Sequence, residues 1–151
     1  LRSHLFNQVL AMRVRDGSWE RALPGDALQL EGRRAWFIAD AVDADIETRV
    51  RALDVHPTGP LWGRGDLPTR DAARVLEEAC LEPCRAECAG LERAGLEQDR
   101  RALRVRIQHL DWNWEAGECL HLRFALPSGS YATALLRELV ENVDGEVEDA
   151  S

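Results

Sequence analysis

Apolar residues recur at helical spacing in several stretches of the chain, which predicts amphipathic helices. In the first stretch the apolar face consists of Leu5, Phe6, Val9, Leu10 and Val14. We expect this helix to begin at a Ser3 N-cap and to end near Arg15. Similar spacing predicts further helices that begin at Asp40, at Pro68, after Pro83 and at Ser130, the last one running to about Val143.

Other stretches alternate apolar and polar residues, as strands do. The segments GDALQL and AWFIAD flank the turn-prone EGRR and predict a hairpin around Gly32. Towards the end, LRVRIQHL and ECLHLRFAL predict two antiparallel strands separated by DWNWEAG. The Gly- and Pro-rich VHPTGPLWGRGDLP predicts an ordered or functional loop. Together these elements predict an α+β fold. A helical segment gives way to strands near Arg104, which predicts two parts, residues 1–105 and 106–151.

The composition is that of a folded chain without a membrane segment. Of the 151 residues, 45% are hydrophobic, which is enough for a sizeable core. The longest apolar run, AWFIA, is far shorter than the roughly 18 residues of a membrane span. We therefore expect a cytoplasmic protein. Because a patterned helix starts within a few residues of Leu1, we interpret the chain as a piece of a longer polypeptide.

The charge distribution leaves nucleic-acid binding open. The net charge of −8 argues against it, but many of the acids follow Arg137, and the rest of the chain is nearly neutral. All 19 basic residues are arginines, whose guanidinium groups bind phosphate in bidentate fashion. The densest basic stretch contains the candidate phosphate contacts Arg93, Arg100, Arg101, Arg104 and Arg106. The charge pattern alone favours a solvated helix face.

Metal and redox chemistry are not favoured by the cysteines. Cys80, Cys84 and Cys88 recur every four residues, which is not a usual zinc or iron–sulfur spacing, and Pro83 is expected to break the helix between the first two. The pattern favours small buried hydrophobic residues, and we expect no metal. The chain also lacks a phosphate-binding glycine loop with lysine, H-E-x-x-H and G-x-S-x-G.

Three tryptophans have two interpretations each. Trp112 and Trp114 lie two residues apart, so on a strand they share one face, and a hydrophobic floor under the sheet is favoured over RNA stacking. Trp62 and Arg64 lie in the GPLWGRGD loop. They either contact RNA or attach the loop to the core.

The segment LPSGSYAT places the single tyrosine, Tyr131, at a predicted helix start. Free backbone N–H groups there suit a phosphate or carbonyl oxygen, and the ring offers a face for an unstacked base. Gly129 and Ser130 shape the turn before it. An aromatic residue at a helix start is also typical of a core anchor, which these residues alone favour.

Six segments together resemble the C-terminal part of the tRNA pseudouridine synthase D (TruD) family. They are HLFNQVLAMRV, GDALQL, GPLWG, GLEQDRRALRV, LDWNW and LRFALPSGSYATALLREL, in family order. The resemblance implies an enzyme that isomerises a uridine in the D arm of tRNA, position 13 in bacterial members, to pseudouridine without a cofactor. It also implies that residues 1–105 form the end of the inserted TRUD domain and residues 106–151 the C-terminal part of the catalytic domain.

The resemblance further implies which residues act. The family's nucleophilic aspartate lies in a motif resembling G-x-K-D-x-x-A-x-T-x-Q, which this lysine-free chain lacks. We therefore expect the aspartate upstream of Leu1 and no activity from this chain alone. Tyr131 replaces the family's usual Phe and is expected to stack on the target base, with Gly129, Ser130 and Arg137 as substrate-binding candidates. The expected partner is tRNA and the expected state is a monomer. The alternative is a noncatalytic RNA-binding or protein-interaction module.

Overall fold

A computed structural model of the chain describes residues 1–115, 119–127, 130 and 132–139. The chain divides into two compact units, Leu1–Arg104 and Val105–Ser151. The break lies one residue before the predicted boundary. The assignment of these units to an inserted and a catalytic domain stays a prediction. Within the described residues, no helix is long and apolar enough to cross a membrane.

The first unit is built around an antiparallel sheet in the order β2-β1-β3-β4. The strands are β1 (Asp26–Leu30), β2 (Trp36–Ala39), β3 (Val55–Leu61) and β4 (Asp99–Ala102). The predicted hairpin is confirmed, since β1 pairs with β2 across the turn that contains Gly32. Mixed helices and strands confirm the α+β class.

The Gly- and Pro-rich segment predicted as a loop is instead, in its first half, the interior strand β3. Proline is normally excluded from interior strands because it lacks an N–H. Here β3 pairs with β1 only over residues 55–57 and with β4 only over residues 58–61. Pro60 therefore lies beyond the pairing with β1, and Pro57 accepts through its carbonyl from the Leu103 N–H. Neither proline nitrogen therefore lies where a paired strand would require an N–H group.

The helices of the first unit are α1 (Arg2–Arg15), α2 (Ala44–Arg51), α3 (Asp71–Leu81) and α4 (Arg85–Arg93). A short 3₁₀ turn, Glu82–Cys84, separates α3 from α4, which confirms the predicted interruption at Pro83. Helix α2 begins later than predicted because the side chain of Asp43, not Asp40, accepts the Ile46 N–H at its N-terminus.

Helix α1 ends at Arg15, as predicted, but differs from its prediction at the N-terminus and on its buried face. Leu1, not Ser3, is the N-cap, and no side chain caps the helix. Leu5, Phe6 and Val9 are buried as predicted, but Val14 is 53% exposed. Arg13 points inward instead and forms a buried ion pair with Asp26 at 2.7 Å.

The segment before Arg104, interpreted as helical, contains the edge strand β4. Helix α4 ends at Arg93, and Gly95 follows with a φ of +80°. β4 then pairs with β3 over residues 99–102. Since the DRRA segment has only one apolar residue, a small alanine, its hydrophobic pattern does not identify a strand.

The second unit contains the antiparallel strands β5 (Gln108–Glu115) and β6 (Cys119–Ala125), followed by α5 (Ala132–Leu139). The predicted antiparallel pair is confirmed, but DWNWE lies inside β5 and does not separate the strands. The predicted continuation of α5 to Val143 lies outside the described residues.

Candidate nucleic-acid interface

The residues predicted to bind the target base come just before α5 in the chain or belong to it. The Ser130 N–H donates to the Pro127 carbonyl at 3.1 Å. Ser130 is half-buried, and α5 begins two residues later. Gly129 and Tyr131 lie outside the described residues. Arg137 is exposed in the last turn of α5. The stacking role of Tyr131 therefore stays a prediction.

The five arginines predicted to contact phosphate fall into two groups, one exposed and one internal. Arg93 at the end of α4, Arg101 on β4 and Arg106 in the second unit are exposed. The Arg101 guanidinium lies over the ring of Phe6, with its carbon 5.5 Å from the ring centroid. In the described part of the chain none of these three arginines forms an ion pair. They are the members of the stretch that remain available to phosphate.

Arg100 is an internal member. Its side chain is 1% exposed, and the guanidinium donates to both carboxylate oxygens of Glu77, at 2.6 and 3.1 Å. It also donates to the hydroxyl and carbonyl of Thr58, at 3.0 Å each. Because these bonds engage a buried guanidinium, the structure corrects the prediction that Arg100 contacts phosphate. Arg100 joins β4 to α3 through Glu77.

Arg104 is also engaged inside the first unit. Its Nε–H donates to Nδ1 of His56 at 3.1 Å, and its Nη2 donates to the carbonyls of Val50 and Val55. Burial lowers the pKa of Arg104. Because Nδ1 of His56 accepts this bond, its Nε2 carries the proton and donates to Glu31 at 2.5 Å. The structure corrects the phosphate prediction for Arg104, which instead attaches the end of the unit to the start of β3.

The alternation of side chains along β4 explains why Arg100 is internal while Arg101 is exposed. Neighbouring residues on a strand point to opposite faces. Arg100 therefore points inward to Glu77 while Arg101 points outward. A helical interpretation of the same segment cannot distinguish the two arginines, and the strand period is the signal that separates them.

The GPLWGRGD loop is attached to the core by its two candidate contacts. The Trp62 indole N–H donates to the Glu92 carboxylate at 2.9 Å, and the Arg64 Nε–H donates to the Glu92 carbonyl at 2.7 Å. Trp62 also packs against the cluster of buried residues that includes Leu91. The structure therefore favours the attachment role over RNA contact for this loop.

A small cavity in the first unit was not indicated by any sequence motif. Its volume is about 190 Å³, and its lining consists of Trp36, Asp66, Pro68, Gln98, Asp99 and Arg100. Trp36 is 40% exposed and points to the sheet face opposite Phe37, because strand neighbours alternate. The lining comes from separate stretches of the chain, so only the fold brings these side chains together.

Gln98 is the unusual group in this lining. Its Nε2 and Oε1 are both shielded from solvent, and neither has a hydrogen-bond partner among the described residues. A buried polar group left without a partner costs about 1–3 kcal/mol. Native proteins satisfy nearly all such groups, so this amide is one of a few exceptions among the described residues.

The three spaced cysteines pack as small apolar side chains, the role that their spacing favoured. Cys88 belongs to the buried cluster with Leu5 and Val9, and Cys80 and Cys84 pack against it. Burial raises the pKa of the Cys80 thiol and raises the pKa of the Cys88 thiol to about 11. Groups of side chains that could hold a metal ion are absent from the described ranges.

The Cys88 thiol is expected to be nearly inert to alkylation at pH 8. Because its pKa is raised to about 11, it reacts on the order of 100-fold more slowly than an ordinary cysteine. Its rate should rise tenfold per pH unit towards pH 11. Iodoacetamide labelling of the native protein, read by peptide mass spectrometry, measures this rate. The exposed Cys119 is the internal reference. Equal labelling of Cys88 and Cys119 would contradict the expectation.

The strand pair of the second unit presents tryptophans on one face. Trp112 lies opposite Leu122, and Trp114 lies opposite Leu120. The two rings are 61% and 62% exposed, while Leu120 and Leu122 are half-buried. The tryptophans therefore share one apolar face, as their spacing predicts.

Comparison with known proteins identifies one family. A family model described as tRNA pseudouridine synthase D (TruD) matches residues 1–139. The chain is 46% identical over 140 residues to tRNA pseudouridine synthase D of Nitrosococcus oceani, which covers 92% of this chain and 39% of that protein. It is 48% identical over 151 residues to the protein of the same name from Xanthomonas euvesicatoria, covering 99% of this chain and 40% of that protein. The chain thus spans about 40% of the length of these relatives.

A solved structure has the same fold. It is the crystal structure of the putative tRNA pseudouridine synthase D from Methanosarcina mazei, with a TM-score of 0.68 and 21% sequence identity. The match covers 91% of this chain and 36% of that one. At this identity the likeness establishes the fold only.

Proposed function

Because the chain belongs to the tRNA pseudouridine synthase D (TruD) family, we propose that the protein of which it forms part isomerises a uridine of tRNA to pseudouridine. The observation that carries this proposal is the family match over residues 1–139, together with relatives at 46% and 49% identity. The finer proposal, from the resemblance of the sequence motifs, is that the target lies in the D arm, at position 13.

We assign the two units to two different domains of the enzyme. Residues 1–105 form the end of the inserted TRUD domain, and residues 106–151 form the C-terminal part of the catalytic domain. The nucleophilic aspartate lies upstream of Leu1, and the reaction uses no metal or organic cofactor. The enzyme acts in the cytoplasm as a monomer. The exposed apolar face of the second unit, with Trp112 and Trp114, supports this division, because such a face suits packing against further parts of a catalytic domain.

Tyr131 is proposed to stack on the extruded target base, with Gly129 and Ser130 shaping the turn and Arg137 as a further substrate contact. An aspartate can reach a uridine only after the nucleotide leaves its helical stack, which costs a few kcal/mol. Base–aromatic stacking offsets about 1–3 kcal/mol of that cost. The hydrogen bond from the Ser130 N–H to the Pro127 carbonyl supports the placement of Ser130 close to the start of α5.

Arg93, Arg101 and Arg106 are proposed to contact tRNA phosphates. Their exposure and their lack of ion pairs in the described part of the chain support this role. Because Arg101 lies against the ring of Phe6, its guanidinium is held at the surface with less freedom to lose on binding. Arg100 and Arg104 are not part of this set.

Replacing Tyr131 tests the proposal. In the complete protein, Tyr131→Ala is expected to lower kcat/KM for pseudouridine formation about 10-fold, because a stacking contact worth about 1–3 kcal/mol is lost. Tyr131→Phe keeps the ring and is the matched control, with kcat/KM near that of the wild type. The measurement is pseudouridine content of tRNA over time.

Two outcomes would contradict different parts of the proposal. Unchanged kcat/KM in Tyr131→Ala would remove this residue from the site. Absence of pseudouridine formation by the complete wild-type protein would instead favour the noncatalytic RNA-binding or protein-interaction module. The 151-residue chain alone is expected to form no pseudouridine, and turnover by it would show that the aspartate has been placed wrongly.

A further inference from the structure

We propose that the cavity beside Trp36 binds a single unstacked guanine base of the RNA, with Trp36 as the stacking surface and the Asp66 carboxylate as the hydrogen-bonding partner. This inference rests on the proposed RNA substrate and adds a second contact to it. Its residues all belong to the first unit.

The size of the cavity suits one base. At about 190 Å³ it is smaller than the roughly 300–1,000 Å³ of typical small-molecule sites. Trp36 forms part of the lining and is 40% exposed, so its ring is available on the open side. Sequence-specific RNA recognition mostly uses unpaired bases that stack on aromatic side chains and form hydrogen bonds along their edges.

The walls of the cavity are held together by backbone contacts. The Arg64 N–H donates to the Leu96 carbonyl at 2.6 Å, and the Gln98 N–H donates to the Arg64 carbonyl at 3.0 Å. A Cβ at Gly63 would lie 2.3 Å from the backbone of Glu97, so only glycine allows this approach. Asp66, two residues after Arg64, is therefore placed by a rigid loop, as a recognition site requires.

The polar groups select a base and reject phosphate. Asp66 is exposed and forms no ion pair or hydrogen bond with any described residue. Asp99 already accepts from the Arg100 N–H, and the Arg100 guanidinium is engaged by Glu77. The cavity thus offers negative charge without a free cation, which disfavours a phosphate group.

Guanine matches the exposed Asp66 carboxylate best. Its Watson–Crick edge carries two adjacent N–H donors, from N1 and the N2 amino group, which a carboxylate such as Asp66 accepts side by side. Uracil, adenine and cytosine do not present two adjacent donors on that edge.

The test is tRNA affinity of the complete protein at fixed salt concentration, because phosphate contacts vary with salt. Asp66→Asn and Trp36→Ala are each expected to raise the Kd about 10-fold, since stacking and edge contacts are lost. Trp36→Phe should recover most of the affinity. Asp45→Asn, an exposed carboxylate on α2, is the control and should leave the Kd unchanged.

The direction in which Asp66→Asn changes the Kd for tRNA distinguishes a base contact from a general charge effect. If only long-range electrostatics act, removing a negative charge tightens RNA binding. Unchanged or tighter binding would therefore contradict the proposed guanine site. Circular dichroism of each variant confirms that it folds. If the wild type forms pseudouridine while Trp36→Ala and Asp66→Asn bind tRNA normally, the pocket fails and the proposed function stands.

A second measurement separates the base identity from catalysis. Saturation-transfer NMR of the complete protein with guanosine, adenosine, cytidine and uridine is expected to show contact with guanosine, and loss of that contact in Asp66→Asn. If the wild type forms no pseudouridine, the proposed function fails while this experiment still tests the pocket. Equal contact with all four nucleosides, or none with guanosine, would overturn the assignment.

Discussion

Replacing Glu77 with glutamine is expected to destabilise the first unit by about 3–5 kcal/mol. Glu77 and Arg100 are 2% and 1% exposed and share two hydrogen bonds. Glutamine keeps the shape of the side chain but leaves the Arg100 charge uncompensated in the interior. The hydroxyl of Thr69, which donates to the same carboxylate, loses a charged acceptor as well. Urea denaturation of the complete protein, followed by circular dichroism, measures the change in free energy of unfolding.

The next residue along α3 provides the matched control. Glu78 pairs with Arg74, but these side chains are 56% and 35% exposed. Glu78→Gln is expected to change the free energy of unfolding by less than about 0.5 kcal/mol, because solvent screens an exposed pair. In the double variant Glu77→Leu with Arg100→Met, both charges disappear and much of the stability should return. If Glu77→Gln and Glu78→Gln behave alike, the buried pair does not hold α3 against β4.

Substituting alanine for Gly25 is expected to cost roughly 2–5 kcal/mol of stability. Gly25 has a φ of +77°, where residues with a Cβ are strained. A Cβ there would also lie 2.2 Å from the Arg70 carbonyl oxygen, in the segment that leads into α3. The Arg70 N–H donates to the Gly25 carbonyl at 2.9 Å, so the two backbones cannot separate without breaking that bond.

Gly32 distinguishes the strain of a positive φ from the clash with the Arg70 backbone. It has a similar φ of +67°, but nothing lies within 4 Å of a Cβ built there. Gly32→Ala should therefore show only the conformational strain, about 1 kcal/mol. Thermal and urea midpoints of both variants give the comparison. A Gly25→Ala protein no less stable than Gly32→Ala would show that the Arg70 segment moves away freely.

Local patterns predicted most helices and the hairpins of this protein. Helix α1, the β1–β2 hairpin and the interruption at Pro83 follow from side-chain periodicity and from the backbone limits of proline and glycine, which act over a few residues. The LPSGSYAT segment likewise indicated the family from the sequence alone, and the match to residues 1–139 confirms that family.

Contacts between distant residues decided the rest. The sequence does not show that β3 tolerates two prolines, because that depends on which neighbour pairs with which half of the strand. Nor does it show that Arg100 is internal while Arg101 is exposed, because a buried charge requires a partner, and Glu77 lies 23 residues away along the chain. The cavity beside Trp36 arises in the same way. Periodicity acts locally and is legible in a sequence, whereas charge compensation and cavity shape depend on side chains that only the folded chain brings together.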